Sequence, residues 1–382
     1  EDYATEISGY DITNSYTPGK TSVTVTKAWN DANNQDGKRP ESVQVQLKAD
    51  GENHGEPVTL NAENQWTHTW TDLDLKKNGE DITYTVEEKT EVPGYTTVVA
   101  GEAGNFTVTN RHTPEKTSIS GKKTWNDANN QDGKRPASIT VNLLANGKVV
   151  DSKTVTADDK WEYTFTDLPK YAAGQKITYT VTENEVEDYA TEISGYDITN
   201  SYTPEKTTVS VFKSWVDDNN RDNKRPSSIK VKLTAKVNGT ENTDLSKTDT
   251  LKSENGWKAS WDNLPKYHDG KLVEYTIEEV NIPAGYTKTI TGNVTDGFNI
   301  INTYTPEKVQ VSGSKSWNDD GNAAGTRPGS ITIRLYANGS EIGHKTVTEK
   351  DGWSWNWTGL NRYDTDHKEI SYTISEDAVD GY

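Results

Sequence analysis

The segment at residues 23–29, which reads VTVTKAW, decides how the first part of this chain folds. Apolar and polar residues alternate along it, so Val23, Val25, Lys27 and Trp29 share one face of an extended strand. A period of two is typical of a β-strand with one face against a core. The segment therefore predicts a strand whose buried face includes a lysine.

The same pattern returns three times further along the chain. In each return a lysine precedes a tryptophan by two positions, and these lysines are Lys123, Lys213 and Lys315. The loop that follows, WNDANNQDGKRP at residues 29–40, recurs at 125–136 and in altered form at 215–226 and 317–328. Repeats of motifs in a fixed order predict tandem modules.

A second motif marks the end of each module and begins with an asparagine, at Asn110, Asn200 and Asn302. Residues 1–18 are identical to residues 187–204, so we expect the chain to open on the tail of a preceding unit. The predicted organisation is a closing strand at 1–19, complete modules at 20–113 (module 1), 114–204 (module 2) and 205–306 (module 3), and a module without its last strand at 307–382 (module 4). The short linkers carry a proline, which predicts an extended, fairly stiff string.

Each module is predicted to be an antiparallel β-sandwich. Val43, Val45 and Leu47 alternate with polar residues, and Asn-Gly pairs mark tight turns between such runs. About seven short strands with frequent turns, without a convincing amphipathic helix, are typical of an antiparallel β-sandwich. The predicted fold class is therefore all-β, with sandwich modules in tandem.

Composition argues against several classes of function. A length of 382 residues suits three or four domains of roughly 100 residues. The formal net charge of −18 argues against nucleic acid and anionic membranes as partners. The chain has no cysteine, so it has no disulfide or thiol nucleophile, and we expect no cofactor. Methionine, a signal peptide and a long apolar run are also missing, which favours an internal segment of a longer protein.

Two later strands also place a polar residue on the apolar face. In the first of them Ile82, Tyr84, Val86 and Glu88 share a face, whereas Glu87 points the other way. The equivalent acids of the other modules are Glu183, Glu279 and Glu376. The last strand of a module brings in an amide, at Asn110, Asn200 and Asn302, and at Asn14 in the opening fragment.

Each complete module thus aims a lysine, a glutamate and an asparagine inward. Burial disfavours charge, so it favours a free amine on the lysine and a protonated acid on the glutamate. The amine can attack the side-chain carbon of asparagine while the acid polarises the carbonyl and shuttles protons. Ammonia leaves and an isopeptide bond remains. Such a reaction is a single-turnover self-modification, so no enzyme activity on an external substrate is expected.

Simpler interpretations remain open. A lysine near a strand end often extends along apolar surface to water, and the three residues could form a plain Lys–Glu ion pair beside a hydrogen-bonded asparagine. Recurrence favours the chemical interpretation, because the Lys-to-Glu separation stays at 61, 60, 66 and 61 residues although the loops between them differ. The loop at residues 31–37 resembles a calcium loop only superficially. Its glycine is displaced and no bidentate glutamate follows, so we expect no metal site.

Taken together, the K-x-W-x-D opening, the NNQDGKRP loop, the YTV-x-E strand and the N-x-YTP close resemble the B-type repeats (CnaB domains) of Gram-positive collagen-binding adhesins. The resemblance covers nearly the whole chain. It implies an inverse immunoglobulin-like, prealbumin-like sandwich and one Lys–Asn isopeptide bond per domain, promoted by an acid. Carried over by motif, the sets are Lys27, Glu88 and Asn110; Lys123, Glu183 and Asn200; and Lys213, Glu279 and Asn302.

Module 4 departs from this pattern, since it has Lys315 and Glu376 but no closing asparagine, and Asn14 has no lysine. These unpaired ends fit an arbitrary cut of a longer array, or strand donation between two chains.

The expected function is a non-enzymatic extracellular stalk of a bacterial surface adhesin. Its partners would be neighbouring modules of the same protein, with a host matrix ligand bound by an N-terminal domain outside this sequence. A C-terminal region, also outside it, would anchor the protein to the cell wall. The alternative is that the modules bind a host matrix protein directly.

Overall fold

The computed structural model describes residues 3–102 and 104–382, and within these ranges the fold is all-β. The only helical segments described are two single turns of 3-10 helix, Ser253–Asn255 and Glu349–Asp351. No helix in the described ranges has the length and apolar character needed to cross a lipid bilayer. The predicted fold class is confirmed.

The residues cluster into two compact units. One unit runs up to Asn126 and includes Pro136–Tyr202; the other consists of Asp127–Arg135 and Thr203–Tyr382. The module boundaries predicted from the repeats stay a prediction, and the names module 1 to module 4 are kept for those sequence ranges.

The chain opens with an antiparallel hairpin of β1 (Ala4–Ser8) and β2 (Asp11–Ser15), and every residue of both strands is exposed. Asn14 lies in this hairpin and accepts a hydrogen bond of 2.7 Å from the Thr5 hydroxyl. The same sequence in module 2 buries Ile198 and Asn200. The exposure of the opening hairpin therefore follows from its lack of neighbouring strands and not from its residues.

Ten strands form module 1: β3 (Lys20–Asn30), β4 (Ser42–Ala49), β5 (Glu52–Asn53), β6 (Val58–Asn61), β7 (Thr67–Asp74), β8 (Lys76–Lys77), β9 (Glu80–Asp81), β10 (Tyr84–Glu88), β11 (Thr96–Glu102) and β12 (Asn105–Arg111). They form one sheet in the order β11-β12-β3-β7 and a second in the order β10-β4-β5, with β6 also paired to β4. The short strands β8 and β9 pair with each other. Val25, Leu47 and Val108 meet between the two sheets and are fully buried.

Module 2 repeats this plan with nine strands: β13 (Lys116–Asn126), β14 (Ser138–Ala145), β15 (Lys148–Thr156), β16 (Glu162–Pro169), β17 (Tyr171–Ala172), β18 (Gln175–Lys176), β19 (Tyr179–Glu183), β20 (Ala190–Ser194) and β21 (Asp197–Ser201). One sheet has the order β16-β13-β21-β20 and the other β15-β14-β19, with a separate β17-β18 pair. Val141, Leu143 and Ile198 are fully buried between the sheets.

Module 3 also has nine strands: β22 (Lys206–Val216), β23 (Ser228–Val237), β24 (Thr240–Glu241), β25 (Lys247–Lys252), β26 (Lys258–Pro265), β27 (Tyr267–His268), β28 (Lys271–Glu279), β29 (Thr287–Asn293) and β30 (Gly297–Thr303). Its sheets have the orders β26-β22-β30-β29 and β24-β23-β28-β27, with β25 paired to β23.

Module 4 is smaller and has five strands: β31 (Lys308–Ser314), β32 (Ser330–Ala337), β33 (Ser340–Thr348), β34 (Ser354–Asn361) and β35 (Tyr372–Glu376). One sheet contains only β31 and β34, and the other has the order β33-β32-β35. A smaller cluster of buried residues, which includes Ile333 and Trp355, fills the space between them.

One feature differs from the expected antiparallel sandwich. In each complete module the first and last strands pair in parallel: β3 with β12, β13 with β21, and β22 with β30. Alternation of apolar residues could not have predicted this, because it reports the face a side chain occupies and not the direction of the partner strand. The parallel pair brings the first and last strands of a module into direct contact.

Candidate functional site

The first strand of each module presents its lysine to the core through a recurring backbone contact. The backbone N–H of Lys27 donates to the carbonyl of Trp66 at 2.7 Å, and Trp66 has a left-handed backbone with φ 59°. A tryptophan rarely adopts this conformation, so the turn is specifically supported by its surroundings. The same bond joins Lys123 to Trp161 at 2.7 Å, Lys213 to Trp257 at 2.8 Å and Lys315 to Trp353 at 2.8 Å.

In the three complete modules the side chains of all three predicted residue types are removed from solvent. The asparagines are fully buried, and the lysines are between 4% and 7% exposed. The glutamate side chains are at most 2% exposed in modules 1 and 2, and Glu279 is 1% exposed as a whole residue. Side chains that reached out to solvent, one of the simpler interpretations, do not fit this burial.

In module 1 the carboxylate of Glu88 lies between the amine and the amide. Its Oε1 accepts a hydrogen bond of 3.1 Å from Asn110 Nδ2 and lies 3.7 Å from Lys27 Nζ. The lysine also donates to the carbonyl of Val108 at 3.3 Å. Thr97 places its hydroxyl 3.0 Å from Glu88 Oε2 and 2.8 Å from Asn110 Oδ1. Both carboxylate oxygens are therefore engaged, Oε1 by the buried lysine and asparagine and Oε2 by the exposed Thr97.

Module 2 holds the same residue types in a different hydrogen-bond pattern. Lys123 Nζ donates directly to Glu183 Oε1 at 2.6 Å, and the hydroxyl of Thr191 donates to Glu183 Oε2 at 3.1 Å. Within the described ranges, both polar atoms of the Asn200 side chain are buried without a hydrogen-bond partner. An unsatisfied buried amide costs about 1–3 kcal/mol, so this arrangement opposes folding unless the amide is used in another way.

Module 3 resembles module 1 in how the acid holds the amide. Asn302 Nδ2 donates to Glu279 Oε1 at 3.0 Å, and Lys213 Nζ donates to the carbonyl of Ile300 at 3.4 Å. The second oxygen of Glu279 and the amide oxygen of Asn302 have no partner. The position that holds Thr97 in module 1 is occupied here by Lys288, which lies opposite Asn302 in the β29–β30 register.

Module 4 and the opening hairpin contain incomplete sets. Lys315 and Glu376 form an ion pair of 2.8 Å, with their side chains 22% and 30% exposed. Asn14 lies in the exposed hairpin, where its oxygen accepts the Thr5 hydroxyl. In the described ranges the structure brings no asparagine to Lys315 and Glu376, and it brings no lysine to Asn14.

Burial changes the acid–base behaviour of the lysines. Desolvation lowers the pKa of Lys27 and of Lys213 to about 8, although the nearby Glu88 and Glu279 oppose the shift. Desolvation also lowers the pKa of Lys123, again against Glu183. Each ammonium lies within 4.0–4.6 Å of a tryptophan ring centroid, a contact that favours the charged form but does not outweigh burial. At pH 7 about one tenth of Lys27 and of Lys213 is therefore a free, nucleophilic amine.

The loop after the first strand is organised around a buried aspartate. Arg39 holds Asp31 with two hydrogen bonds of 3.0 and 2.6 Å, the N–H of Asn34 donates at 3.0 Å, and the hydroxyl of Tyr95 donates at 2.8 Å. Burial alone would raise the pKa of Asp31, but these donors lower it to about 2. The oxygens of Asp31 are thus held by the Arg39 side chain, the backbone N–H of Asn34 and the hydroxyl of Tyr95, so the aspartate stabilises the loop. In the described ranges no group of side chains that could hold a metal ion is found.

A second aspartate of the loop binds the linker to the following module, a role that sequence reasoning missed. Asp36 Oδ2 accepts the backbone N–H of Glu115 at 2.8 Å and lies 2.9 Å from His112 Nε2. Asp222 repeats this with Glu307 and the hydroxyl of Tyr304, at 2.7 and 2.9 Å. Asp132 accepts the N–H of Glu205 at 2.7 Å. The signal was present in the sequence, because this acid recurs in three loops while Ala324 replaces it in the fourth.

Comparisons with known proteins agree with this architecture. The family model of the Cna protein B-type domain matches residues 23–111, 119–201, 209–303 and 311–382. The collagen adhesin of Staphylococcus aureus is 48% identical over 383 aligned positions, which cover 100% of this chain and 32% of that protein. The chain thus spans about a third of the length of this curated relative.

Two crystal structures of the collagen binding protein (Cna) of Staphylococcus aureus are also similar to the chain. The structure of two B repeat units (B1B2) is 50% identical, covers 80% of this chain and 81% of that one, and has a TM-score of 0.48. The structure of a single B repeat unit (B1) is 47% identical, covers 50% of this chain and 100% of that one, and has a TM-score of 0.24.

Tandem β-sandwiches with a repeated buried set of lysine, acid and asparagine define a repeat-domain protein. The chain belongs to the family of Cna protein B-type domains, as four matched segments and the 48% identity establish. The family membership expected from the sequence motifs is confirmed.

Proposed function

We propose that each complete module of this chain forms a Lys–Asn isopeptide bond by itself, and that the crosslinked modules serve as a stalk. The observation that carries the proposal is that an amine, an acid and an amide are buried together in each of three modules. Polar contacts join all three groups in module 1, the amine and the acid in module 2, and the acid and the amide in module 3. The predicted bonds join Lys27 to Asn110, Lys123 to Asn200 and Lys213 to Asn302.

The contacts in module 1 support the following sequence of proton transfers. Glu88 Oε1, 3.7 Å from Lys27 Nζ, takes the proton that the lysine must lose. The neutral amine attacks Cγ of Asn110, and the carbonyl oxygen gains negative charge. The same Oε1, 3.1 Å from Asn110 Nδ2, returns a proton to the amide nitrogen. Glu88 then takes a second proton from the lysine nitrogen as the C–N bond to the amide nitrogen breaks. Ammonia leaves, the lysine nitrogen keeps one hydrogen in the new amide, and the second proton passes from Glu88 to the released ammonia or to solvent.

Such a bond would stabilise a module by limiting its unfolded chain. Closing a loop of about 100 residues is worth roughly 4–5 kcal/mol in the chain-entropy model developed for disulfides. The bond also removes a buried charge, because the lysine becomes part of a neutral amide. A chain without cysteine would thus gain a staple that reducing agents do not break.

The wider role follows from the family and remains part of the proposal. We infer that the modules belong to the repeat region of an extracellular surface adhesin and hold another region of the same protein away from the cell wall. The relative from Staphylococcus aureus bears the name collagen adhesin. A matrix ligand would then be bound by a region outside this chain, and wall anchoring would belong to a C-terminal region.

The mass of the intact protein tests the crosslinks directly. Three condensations remove three molecules of ammonia, each of about 17 Da. Succinimide formation at an Asn-Gly pair gives the same loss, so peptide mapping must recover branched peptides that join the three predicted pairs. The full theoretical mass, with linear peptides only, would leave the ion-pair interpretation in place.

The name of the relative also favours testing a second candidate, direct binding of matrix protein by the modules. Binding of the 382-residue chain to immobilised collagen, measured by surface plasmon resonance, separates the two. The stalk proposal expects no saturable binding. Saturable binding that persists at physiological salt would support the alternative.

A further inference from the structure

We propose that Thr97 and Thr191 are positioning residues for the crosslinking reaction, and that their hydroxyls connect the acid to the asparagine carbonyl. The inference rests on the proposed isopeptide chemistry and adds a residue that the sequence analysis did not single out. Thr97 lies directly opposite Asn110 in the β11–β12 register, and Thr191 lies opposite Asn200 in the β20–β21 register.

The position of the Thr97 hydroxyl between two oxygens restricts where the protons of this cluster can lie. Its hydroxyl lies 3.0 Å from Glu88 Oε2 and 2.8 Å from Asn110 Oδ1. A hydroxyl has a single proton, so it can donate to one of these oxygens only. When Glu88 is protonated on Oε2, the acid donates to Thr97 and Thr97 donates to the amide oxygen. This chain of hydrogen bonds satisfies every oxygen.

The same arrangement assists the attack of the amine. As the bond between Lys27 Nζ and Asn110 Cγ forms, the carbonyl π electrons move to Oδ1, which becomes an oxyanion. Thr97 already donates toward that atom, and a donor placed where charge develops lowers the barrier. Glu88 Oε1 remains beside the departing nitrogen. The two oxygens of the carboxyl group therefore act on opposite sides of the reacting amide.

Module 3 lacks this hydroxyl and shows the consequence. Lys288 occupies the position opposite Asn302, and its ammonium donates to the backbone carbonyl of Glu279 at 3.3 Å. Glu279 Oε2 and Asn302 Oδ1 are buried without partners, and these are the atoms that correspond to the two contacts of Thr97. The acid and the amide are otherwise held as in module 1, with Asn302 Nδ2 bound to Glu279 Oε1 at 3.0 Å.

Module 2 has the hydroxyl in one of its two contacts. Thr191 reaches Glu183 Oε2 at 3.1 Å, while both polar atoms of Asn200 remain without a partner. Rotation of the Asn200 amide toward Thr191 would complete the arrangement found in module 1. The order of reaction we infer is therefore module 1 and module 2 before module 3.

The experiment follows each bond separately in the full chain. Unfolded, unreacted chain dissolved in urea is diluted into buffer, quenched at intervals, and digested for quantification of the three branched peptides. Thr97→Val keeps the shape of the side chain but removes the hydroxyl, and should slow the module 1 bond on the order of 10²-fold. The module 2 bond of the same molecules serves as an internal reference. Thr97→Ser restores the hydroxyl and should restore the rate.

Two further variants complete the test. Thr96 is the neighbour of Thr97 on β11; both residues are exposed, and only Thr97 contacts Glu88 and Asn110. Thr96→Val is therefore the matched control that should leave the module 1 rate unchanged. Lys288→Thr introduces the hydroxyl into module 3 and should accelerate its bond.

The outcomes separate the inference from the proposed function. An unchanged rate in Thr97→Val, or an equal loss in Thr97→Ser, would overturn the role of the hydroxyl while leaving the crosslinks in place. A Lys288→Thr variant that reacts no faster than the parent would likewise count against it. Absence of every branched peptide from the parent chain would instead refute the isopeptide proposal itself.

Discussion

A buried lysine whose pKa is lowered by desolvation is the central chemical feature of each complete module at the scale of single residues. The pKa of Lys27 and of Lys213 falls to about 8 because desolvation outweighs the attraction of their glutamates. The ordinary value of 10.5 would leave very little free amine at neutral pH. Burial thus supplies the nucleophile, and the protein needs no external base to generate it.

The rate of crosslinking should therefore depend on pH in a defined direction. Below pH 8 the neutral fraction of Lys27 rises about tenfold per pH unit, so the module 1 bond should form correspondingly faster as pH increases. Above pH 8 the amine is mostly neutral and this dependence should level off. Refolding from urea between pH 6 and pH 9, with the branched peptide quantified over time, measures the profile. A rate that is flat between pH 6 and pH 8 would contradict the assignment of the nucleophile.

The glutamate is expected to be essential, and the chain provides its own control. Glu88→Gln keeps the size of the side chain but removes the proton-transferring group, so the module 1 bond should form on the order of 10²–10⁴-fold more slowly. The adjacent Glu87 points outward and pairs with Lys48 at 2.7 Å. Glu87→Gln should therefore leave the rate unchanged. Equal rates in the two variants would exclude an acid–base role for Glu88.

At the scale of elements, the loop after the first strand performs two tasks with two aspartates. Asp31 fixes the loop to its own module through Arg39 and Tyr95, and Asp36 fixes the linker by binding the N–H of Glu115. In module 1 the side chain of His112 also contacts Asp36. His112 Nε2 faces Asp36 at 2.9 Å and Nδ1 faces the carbonyl of Gly94 at 2.8 Å. Both partners accept hydrogen bonds, so the imidazole satisfies them only when it is protonated.

This linker contact should weaken as pH rises. The hydrogen bond that His112 donates to Asp36 raises the pKa of His112 above its ordinary value of 6.5, although desolvation and nearby Lys38 oppose the shift. A raised folded-state pKa means that the stabilisation is complete below pH 6.5 and is lost as pH rises through the folded value. NMR titration of the ring and amide exchange of Glu115 should report both effects.

His112→Tyr is the matched variant, because Tyr304 occupies this position in module 3 and donates to Asp222 at 2.9 Å. Protection of the Glu115 amide should then be independent of pH between 5 and 8. Besides Asp36 and Lys38, the ring faces Tyr95 at a centroid distance of 5.2 Å, and that residue stays neutral throughout this range. Protection that still falls with pH in the variant would show that another group titrates.

The sequence predicted which segments form strands and which side chains they bury better than it predicted which strands pair with each other. The alternation of apolar and polar residues placed Lys27 and Asn110 on buried faces. This works because successive side chains of a strand point to opposite faces of a sheet, and only one of these faces meets solvent. Alternation could not predict the parallel strand pairing, the left-handed backbone at Trp66 or the hydrogen bond between Asp36 and the linker. These depend on contacts between residues far apart in the chain, and a pattern within one strand carries no record of them. The asparagine and the lysine were found separately, and only the fold places their strands side by side.

At the scale of the whole molecule, crosslinks change how far the chain can be extended. With Lys27 bonded to Asn110, force bypasses the chain between them, so module 1 should contribute almost no extension. In Asn110→Ala the same module can unravel and release on the order of 300 Å of chain, at about 3.5 Å per residue. Single-molecule force spectroscopy of the 382-residue chain resolves a step of this size. A step from module 1 in the parent chain would contradict the bond.

The parallel contact of the first and last strands has a mechanical meaning of its own, even before any bond forms. Tension enters β3 at its amino end and leaves β12 at its carboxyl end, and in a parallel pair these points lie at opposite ends of the ladder. The strands must then slide along each other, which shears all of their hydrogen bonds at once. An antiparallel pair would present both points at the same end and peel open one bond at a time. The topology alone therefore resists pulling, and the proposed crosslink between Lys27 and Asn110 would hold the two strands together under this shear.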